Sequence, residues 1–140
     1  MACRQARGNA TARLSLRVDL DDECRIGPGK VRLLEEIAAQ GSISAAGRAL
    51  GMSYKRAWDL VDELNRIFKA PLVETRIGGH GRGGAQLTDL GRSIVGHYRA
   101  IELKAASASA LHLDALAAVR SKVEPAMPPE TGSQPAKTSR

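Results

Sequence analysis

The sequence predicts a mainly α-helical fold with a small β wing: a winged helix-turn-helix followed by a long C-terminal dimerisation helix. Three observations lead to this prediction. Two short helical patterns meet at Gly51 within GSISAAGRALGMSYKRAWDLVDELN, two strand-like segments flank the loop GGHGRGGA, and an apolar stripe at helical spacing runs on from Asp89. The expected organisation is a flexible N-terminus over 1–13, the winged domain over 14–88, the dimerisation helix over 89–120 and a disordered proline-rich tail over 121–140.

The first elements follow from hydropathy periodicity. Residues 14–20 alternate apolar and polar side chains, which predicts a half-buried strand, and the segment from Asp21 to Gly27 is expected to turn the chain. Pro28 suits the first position of a helix, where no amide hydrogen is needed. Helical spacing of apolar residues then predicts a helix over 28–40, ended by Gly41.

The next segment predicts a tight corner between two helices. Ser42 or Ser44 is expected to cap a short second helix that runs through Leu50, and Gly51 is expected to end it in the left-handed conformation. A third helix is predicted over 54–69. This arrangement sets the third helix at a steep angle, as in domains that lay such a helix in the DNA major groove.

The wing and the long helix complete the fold. Residues 72–77 alternate like a strand, and Gln86 and Leu87 return as a second one. Thr88 is expected to cap the long helix. Its apolar stripe is longer than a small domain can cover, so a second copy of the chain is expected to pack against it. The predicted dimer interface consists of Ile94, Tyr98, Ile101, Ala105, Ala108, His112, Ala115 and Val119.

Composition limits the class of function. The 140 residues carry a net charge of +6, and the sequence pI is about 9.8. This basic balance favours polyanionic partners, whether nucleic acid, anionic lipid or acidic protein. With two cysteines, no secretory apolar region and no long apolar run, we expect a cytoplasmic protein without a disulfide framework or a membrane span. The histidines and cysteines lack metal-ligand spacing and no nucleophile-base grouping occurs, so we expect no enzyme, metal or cofactor.

The start of the third helix carries the predicted DNA contacts. Position 56 is arginine where a reciprocal capping box would have glutamate, so amide groups, helix dipole and the Lys55-Arg56 pair should all face an anion. Arg56 is the candidate for bidentate guanine contact. Ser53, Tyr54 and Lys55 are expected on phosphates and base edges, with Arg66 and Lys69 on the flanking backbone. The alternative is that these cations form an ordinary solvated helix face.

Two neighbouring residues are expected to have structural roles. Trp58 is predicted to pack in the core against the first helix, and Asp59 to be a surface or helix-pairing charge. Neither is assigned a role in reading bases.

The glycine-rich loop has two interpretations besides a plain mobile hairpin. Gly79, Gly81 and Gly84 formally match a dinucleotide-binding fingerprint, but no second βαβ half or downstream acidic residue accompanies them. The favoured interpretation is a flexible wing tip that presents His80 and Arg82 to the minor groove or its phosphates.

The segments GSISAAGRALGMSYKRAWDLVDELN and PLVETRIGGHGRGGAQLTDLGR resemble the DNA-binding half of ModE-type molybdate-responsive regulators over about residues 14–115. A more distant likeness, to LysR-type N-terminal domains, rests on the GS-S-AA-L and LT-G patterns. The ModE resemblance implies a homodimer on a palindromic operator. It also implies DNA contacts from Ser53, Tyr54, Lys55, Arg56 and Arg82.

Full-length ModE members continue into oxyanion-binding β-barrel modules, whereas this chain ends in a proline-rich tail. Molybdate sensing is therefore not carried over, although a link to molybdenum metabolism is retained as an expectation. A separate protein could act as the sensor. The expected function is a transcription regulator that binds double-stranded DNA, most simply a repressor. A protein-docking winged helix and a direct oxyanion-binding protein remain the alternatives.

Overall fold

A computed structural model of the chain describes residues 12–76 and 83–121. Most of the described residues are helical, with two small antiparallel sheets. The predicted winged helix-turn-helix class is thereby confirmed. In chain order the elements are β1 (Val18–Asp19), β2 (Arg25–Ile26), α1 (Pro28–Gln40), α2 (Ile43–Ala49), α3 (Tyr54–Ile67), β3 (Val73–Arg76), β4 (Gly84–Leu87), α4 (Asp89–Ala108) and α5 (Ala110–Ala118).

The chain divides into two compact units. Residues 13–110 form the larger unit, and the residues from Leu111 onward are grouped in the other. The predicted flexible N-terminus and proline-rich tail lie almost wholly outside the described residues. No helix in the described part of the chain is long and apolar enough to cross a membrane.

The predicted strand over 14–20 is shorter than expected. Only Val18 and Asp19 pair with β2, in a hairpin that the sequence pattern did not reveal. The Asp21 carboxylate closes this hairpin because it accepts hydrogen bonds from the amides of Glu23 and Cys24, both at 2.8 Å. Such a side-chain turn reverses the chain within a few residues.

The helix-turn-helix corner forms as predicted. Ser42 is the cap of α2, since its Oγ accepts from the Ala45 amide at 3.0 Å. Gly51 adopts a φ of +73°, the left-handed conformation that favours glycine. At Gly47 an added Cβ would lie 3.0 Å from the Cβ of Ala57, so α2 and α3 approach closely there.

The core lies around α1, which contacts α2, α3, α4 and β4. Apolar residues recur on one side of α1, α2, α3 and α4, and these sides meet as helical periodicity requires. The largest side chains that are fully buried come from α1, α3 and the start of the wing: Leu33, Leu34, Ile37, Leu64, Leu72 and Val31.

Hydrogen bonds attach the wing to α3 and to the end of α1. β3 and β4 pair from Val73 opposite Leu87 to Arg76 opposite Gly84. The Asn65 side chain at the end of α3 accepts from the amides of Leu72 and Val73, at 2.8 and 3.1 Å, and donates to the Val73 carbonyl at 3.3 Å. On the other strand, the Ala85 amide donates to the Gly41 carbonyl at 2.9 Å. The wing is therefore held against the end of α3 and the end of α1.

The long helix begins as predicted and is then interrupted. Thr88 caps α4, with its Oγ accepting from the Gly91 amide at 2.9 Å. Instead of one helix over 89–120, α4 ends at Ala108, and Ser109 separates it from α5. The Ser109 hydroxyl donates to the Ala105 carbonyl at 2.6 Å. A serine that bonds back in this way competes with the helical hydrogen-bond ladder.

Candidate nucleic-acid interface

The start of α3 presents the predicted cationic tip to solvent. Ser53, Tyr54, Lys55 and Arg56 are all exposed. Ser53 Oγ accepts from the Arg56 amide at 3.0 Å, so one of the first-turn amides expected to be free is already satisfied. Helix geometry leaves the amides of Tyr54 and Lys55 without acceptors inside the helix. The tip therefore keeps donor groups and positive charge, although fewer free amides than the sequence indicated.

The outward face of α3 carries both signs of charge. Lys55, Asp59, Asp62 and Arg66 follow at steps of three or four and are all exposed, so they share one face. Lys55 Nζ lies 2.9 Å from Asp59 Oδ2, with side chains that are 81% and 57% exposed. Such solvated pairs contribute little. Lys55 can therefore exchange this partner for a phosphate, and Asp59 is the helix-pairing charge that the sequence predicted.

Arg56 lies on one flank of α3, beside two further cations. It lines a cleft of about 310 Å³ together with Arg25 from β2 and Lys30 from α1. The ammonium of Lys30 donates to the Arg25 carbonyl at 2.9 Å and to a Glu63 carboxylate oxygen at 2.7 Å. Sequence reasoning missed Arg25 and Lys30, because neither is near Arg56 along the chain and no local pattern marks them.

The other flank of α3 faces the wing across a larger cleft. This cleft has a volume of about 380 Å³, and Tyr54, Trp58, Thr75 and Arg76 are among its lining residues. The rings of Tyr54 and Trp58 meet edge to face, with centroids 6.2 Å apart. Tyr54 is 63% exposed and Trp58 is 36% exposed.

The prediction that Trp58 packs in the core against the first helix is wrong. The buried residues of α3 are Ala57, Leu60, Val61 and Leu64. Trp58 follows Ala57 by one position, and one helical step rotates a side chain by about 100°. That rotation takes the indole from the buried stripe to the flank beside the wing.

The remaining predicted DNA contacts belong to the end of α3 and to the wing tip. Arg66 is exposed in the last turn of α3, and Lys69 is exposed beyond the helix, which ends at Ile67 rather than at Lys69. Both lie at the opposite end of α3 from Arg56. His80 and Arg82 at the predicted wing tip lie outside the described residues.

The predicted dimer-interface residues differ in burial. The prediction is wrong for Tyr98, which is buried in the core of its own chain. Its hydroxyl donates to the Leu16 carbonyl at 2.7 Å. Ile94 is half-buried against the same core. Within α4, Ile101 is 45% exposed and Leu103, which was not predicted, is 71% exposed. Ala105 is half-buried and Ala108 is exposed.

The residues from Leu111 to Ser121 also expose apolar side chains. Of the predicted interface residues in this segment, His112, Ala115 and Val119 are all exposed. Leu111 and Leu116, which the sequence reasoning did not select, are exposed as well. Within the part of the chain that the structure describes, no residue of α5 is buried.

An ion-pair cluster orients α4 against α1. Arg99 makes a bidentate pair with Glu35 at 2.7 and 2.8 Å and also contacts Glu102 at 2.6 Å. The hydrogen bonds from Arg99 lower the pKa of the Glu35 carboxyl below its usual range. The same contacts raise the pKa of the Arg99 guanidinium. Within the described residues, no group of histidine, cysteine or carboxylate side chains converges as metal ligands would.

Comparison with known proteins agrees with this geometry. Residues 29–92 match the family of bacterial regulatory helix-turn-helix proteins of the lysR type. That region runs from α1 to the first turn of α4, and so includes the corner, α3 and the wing.

Individual relatives are similar over the same part of the chain. The molybdenum transport protein ModE of Azotobacter vinelandii is 45% identical over 97 residues, which are 69% of this chain and 35% of the relative. The molybdenum-pterin-binding protein MopA of Rhodobacter capsulatus is 44% identical over 78 residues, 56% of this chain and 29% of the relative. The DNA-binding transcriptional dual regulator ModE of Escherichia coli K12 is 39% identical over 87 residues, 62% of this chain and 33% of the relative.

The chain thus spans about a third of the length of the curated relatives it matches. The resemblance to ModE-type regulators, with a LysR-type helix-turn-helix, is confirmed.

Proposed function

We propose that the chain is a sequence-specific regulator of transcription that binds double-stranded DNA and acts in molybdenum metabolism. One observation carries the proposal: the cationic start of α3 is exposed at the corner of a helix-turn-helix. Had Tyr54, Lys55 and Arg56 been packed inward, no duplex could reach them. The names of the relatives supply the link to molybdenum.

The proposed interface places α3 in the major groove. Lys55 and the hydroxyl of Ser53 contact phosphates, and Arg56 donates two hydrogen bonds to a guanine edge. Arg66 and Lys69 bind flanking phosphates at the far end of the helix. His80 and Arg82 extend the contact from the wing tip. No catalytic group and no cofactor is part of this proposal.

The proposal includes a homodimer on a palindromic operator. Exposed apolar side chains support it: Ile101 and Leu103 on α4, and Leu111, Leu116 and Val119 in the following segment. Apolar surface of this kind gains free energy when a partner covers it. A dimer that covers a promoter excludes polymerase, so the simplest regulatory action is repression, and a separate protein supplies the signal.

Selection of binding sites from a random duplex library tests the proposal. We expect the purified chain to enrich a motif with two-fold symmetry, because a symmetric dimer reads two equivalent half-sites. Affinity should fall steeply with salt, with a slope of about −0.9 in log K against log salt for each phosphate neutralised. If no duplex is enriched, the protein-docking alternative replaces this proposal. Saturable binding of molybdate or tungstate without DNA binding would favour the oxyanion alternative.

Two arginine variants test the residue roles. Arg56→Ala should cost about 1–3 kcal/mol and relax the preference at one base position. Arg82→Ala should weaken all duplexes more evenly, since phosphate contacts carry little sequence information. Arg32→Ala, an exposed arginine on α1 near Glu35, is the matched charge control and should leave affinity unchanged. Equal affinities for all the variants would refute the assigned contacts.

Sedimentation measures the proposed dimer directly. Ile101→Glu together with Leu103→Glu introduces charge at two exposed apolar positions of α4, which lie on different sides of the helix because two steps rotate a side chain by about 200°. We expect this variant to sediment as a monomer while retaining its helical circular dichroism. A wild-type chain that remains monomeric at all accessible concentrations would exclude the homodimer.

A further inference from the structure

We propose that the cleft between α2, α3 and the wing holds a sugar-phosphate segment of one DNA strand, which makes Trp58 a DNA contact. This inference rests on the proposed function and deepens it, because it assigns a second binding surface on the opposite flank of α3 from Arg56. We call this surface the aromatic cleft and define it by Ser42, Ser44, Tyr54, Trp58, Thr75 and Arg76.

The aromatic cleft lies between α3 and the wing. It measures about 380 Å³ and has the rings of Tyr54 and Trp58 on one side and the wing strands on the other. Gly83 and Gly84 also line it. Because these residues carry no side chain, a ligand can approach the wing backbone closely.

The chemistry of the lining suits an anion joined to an apolar group. Arg76 provides a guanidinium, and Ser44 and Thr75 provide hydroxyl groups, while no carboxylate is among the described lining residues. An anion in the aromatic cleft would therefore meet no competing carboxylate from the described residues.

A sugar-phosphate segment satisfies both parts of this lining. A purely apolar ligand would leave the Arg76 guanidinium and the hydroxyls without partners. A free oxyanion would leave the two rings exposed. A deoxyribose can cover Trp58 and Tyr54 while its phosphate accepts hydrogen bonds from Arg76 and Thr75.

The position of the aromatic cleft agrees with this occupant. A helix in the major groove has a phosphate backbone along each of its flanks, because the groove is about 12 Å wide, close to the diameter of a helix with its side chains. Arg56 lies on one flank of α3, and Tyr54 and Trp58 lie on the other. Tyr54 is the first residue of α3, so the aromatic cleft continues the proposed interface without a gap.

The indole itself provides the test. Trp58 is the single tryptophan of the chain, and its partial exposure makes its emission accessible to acrylamide. We expect saturation with the selected duplex, monitored by anisotropy of labelled DNA, to protect Trp58 from quenching. A saturated complex in which acrylamide quenching equals that of the free protein would overturn the proposal. Protection of Trp58 by inorganic phosphate or molybdate in the absence of DNA would also overturn the proposal and assign the cleft to a free oxyanion.

Variants provide a second measurement on the full chain. Trp58→Ala should weaken duplex binding about fivefold or more, as truncation of an aromatic anchor does at interfaces, whereas Trp58→Phe keeps a ring against the sugar and should retain most of the affinity. Arg76→Ala should lower the salt slope by about 0.9, the contribution of one phosphate, and Arg32→Ala should not. Thermal melts establish whether each variant is folded. If Trp58→Ala does not fold, Arg76→Ala still tests the proposal.

The outcomes separate the two proposals. Absence of any duplex binding refutes the proposed function and this inference together. Normal duplex binding with unprotected Trp58 and unchanged affinity of the variants refutes the inference alone.

Discussion

Asn65 holds the wing against α3, and its removal should destabilise the domain. Its carboxamide oxygen accepts from the amides of Leu72 and Val73, residues that are 0% and 3% exposed. Asn65→Ala leaves both buried amides without their acceptor. An unsatisfied buried amide costs about 1–3 kcal/mol, so the pair should cost about 2–4 kcal/mol once water partly enters the gap. For a domain of this size, that corresponds to a fall in Tm of about 10 °C or more.

Urea denaturation followed by circular dichroism measures this loss. We expect the midpoint to fall while the slope m is unchanged, which identifies a change in stability rather than in the extent of unfolding. Asn65→Asp is the matched control, since it keeps an oxygen for both amides, although its second oxygen replaces the donor to the Val73 carbonyl, at 3.3 Å, with another acceptor. It should be destabilised less than Asn65→Ala. An Asn65→Ala chain within about 0.5 kcal/mol of wild type, the range of an ordinary surface change, would refute the reasoning.

Two further predictions concern α4. In Gly91→Ala the added Cβ would lie 2.3 Å from the Leu72 carbonyl oxygen, so we expect a loss of about 1–3 kcal/mol in urea titrations; Gly96→Ala meets no atom within 4 Å and should instead gain about 0.5–1 kcal/mol. Arg99 lowers the pKa of Glu35, so this pair stabilises the fold above the pKa of the unfolded carboxyl and loses its effect as pH falls through the folded pKa. With both side chains 38% exposed, Glu35→Gln should cost no more than about 1 kcal/mol at neutral pH. Its unfolding midpoint should approach that of wild type near pH 2; an equal deficit at both pH values would contradict the ion-pair explanation.

Local signals in the sequence determined where α1, α3 and α4 begin and where the corner between α2 and α3 lies. Pro28 begins α1, Ser53 and Thr88 cap α3 and α4, and Gly51 takes the left-handed corner between α2 and α3. Each of these depends on hydrogen bonds or dihedral preferences within about four residues. The cationic start of α3 is also a local feature, because its residues are neighbours within one helix turn.

Only the tertiary structure decided which face of each helix is covered. Tyr98 fits an apolar stripe and is buried by its own chain, where its hydroxyl reaches Leu16. Trp58 is apolar but lines a cleft beside the wing, and Arg25 comes to lie near Arg56 from a distant hairpin. Asn65 gives no local sign of its role as the link between α3 and the wing. Periodicity specifies that residues share a side of a helix, whereas the partner on that side is set by contacts between distant segments.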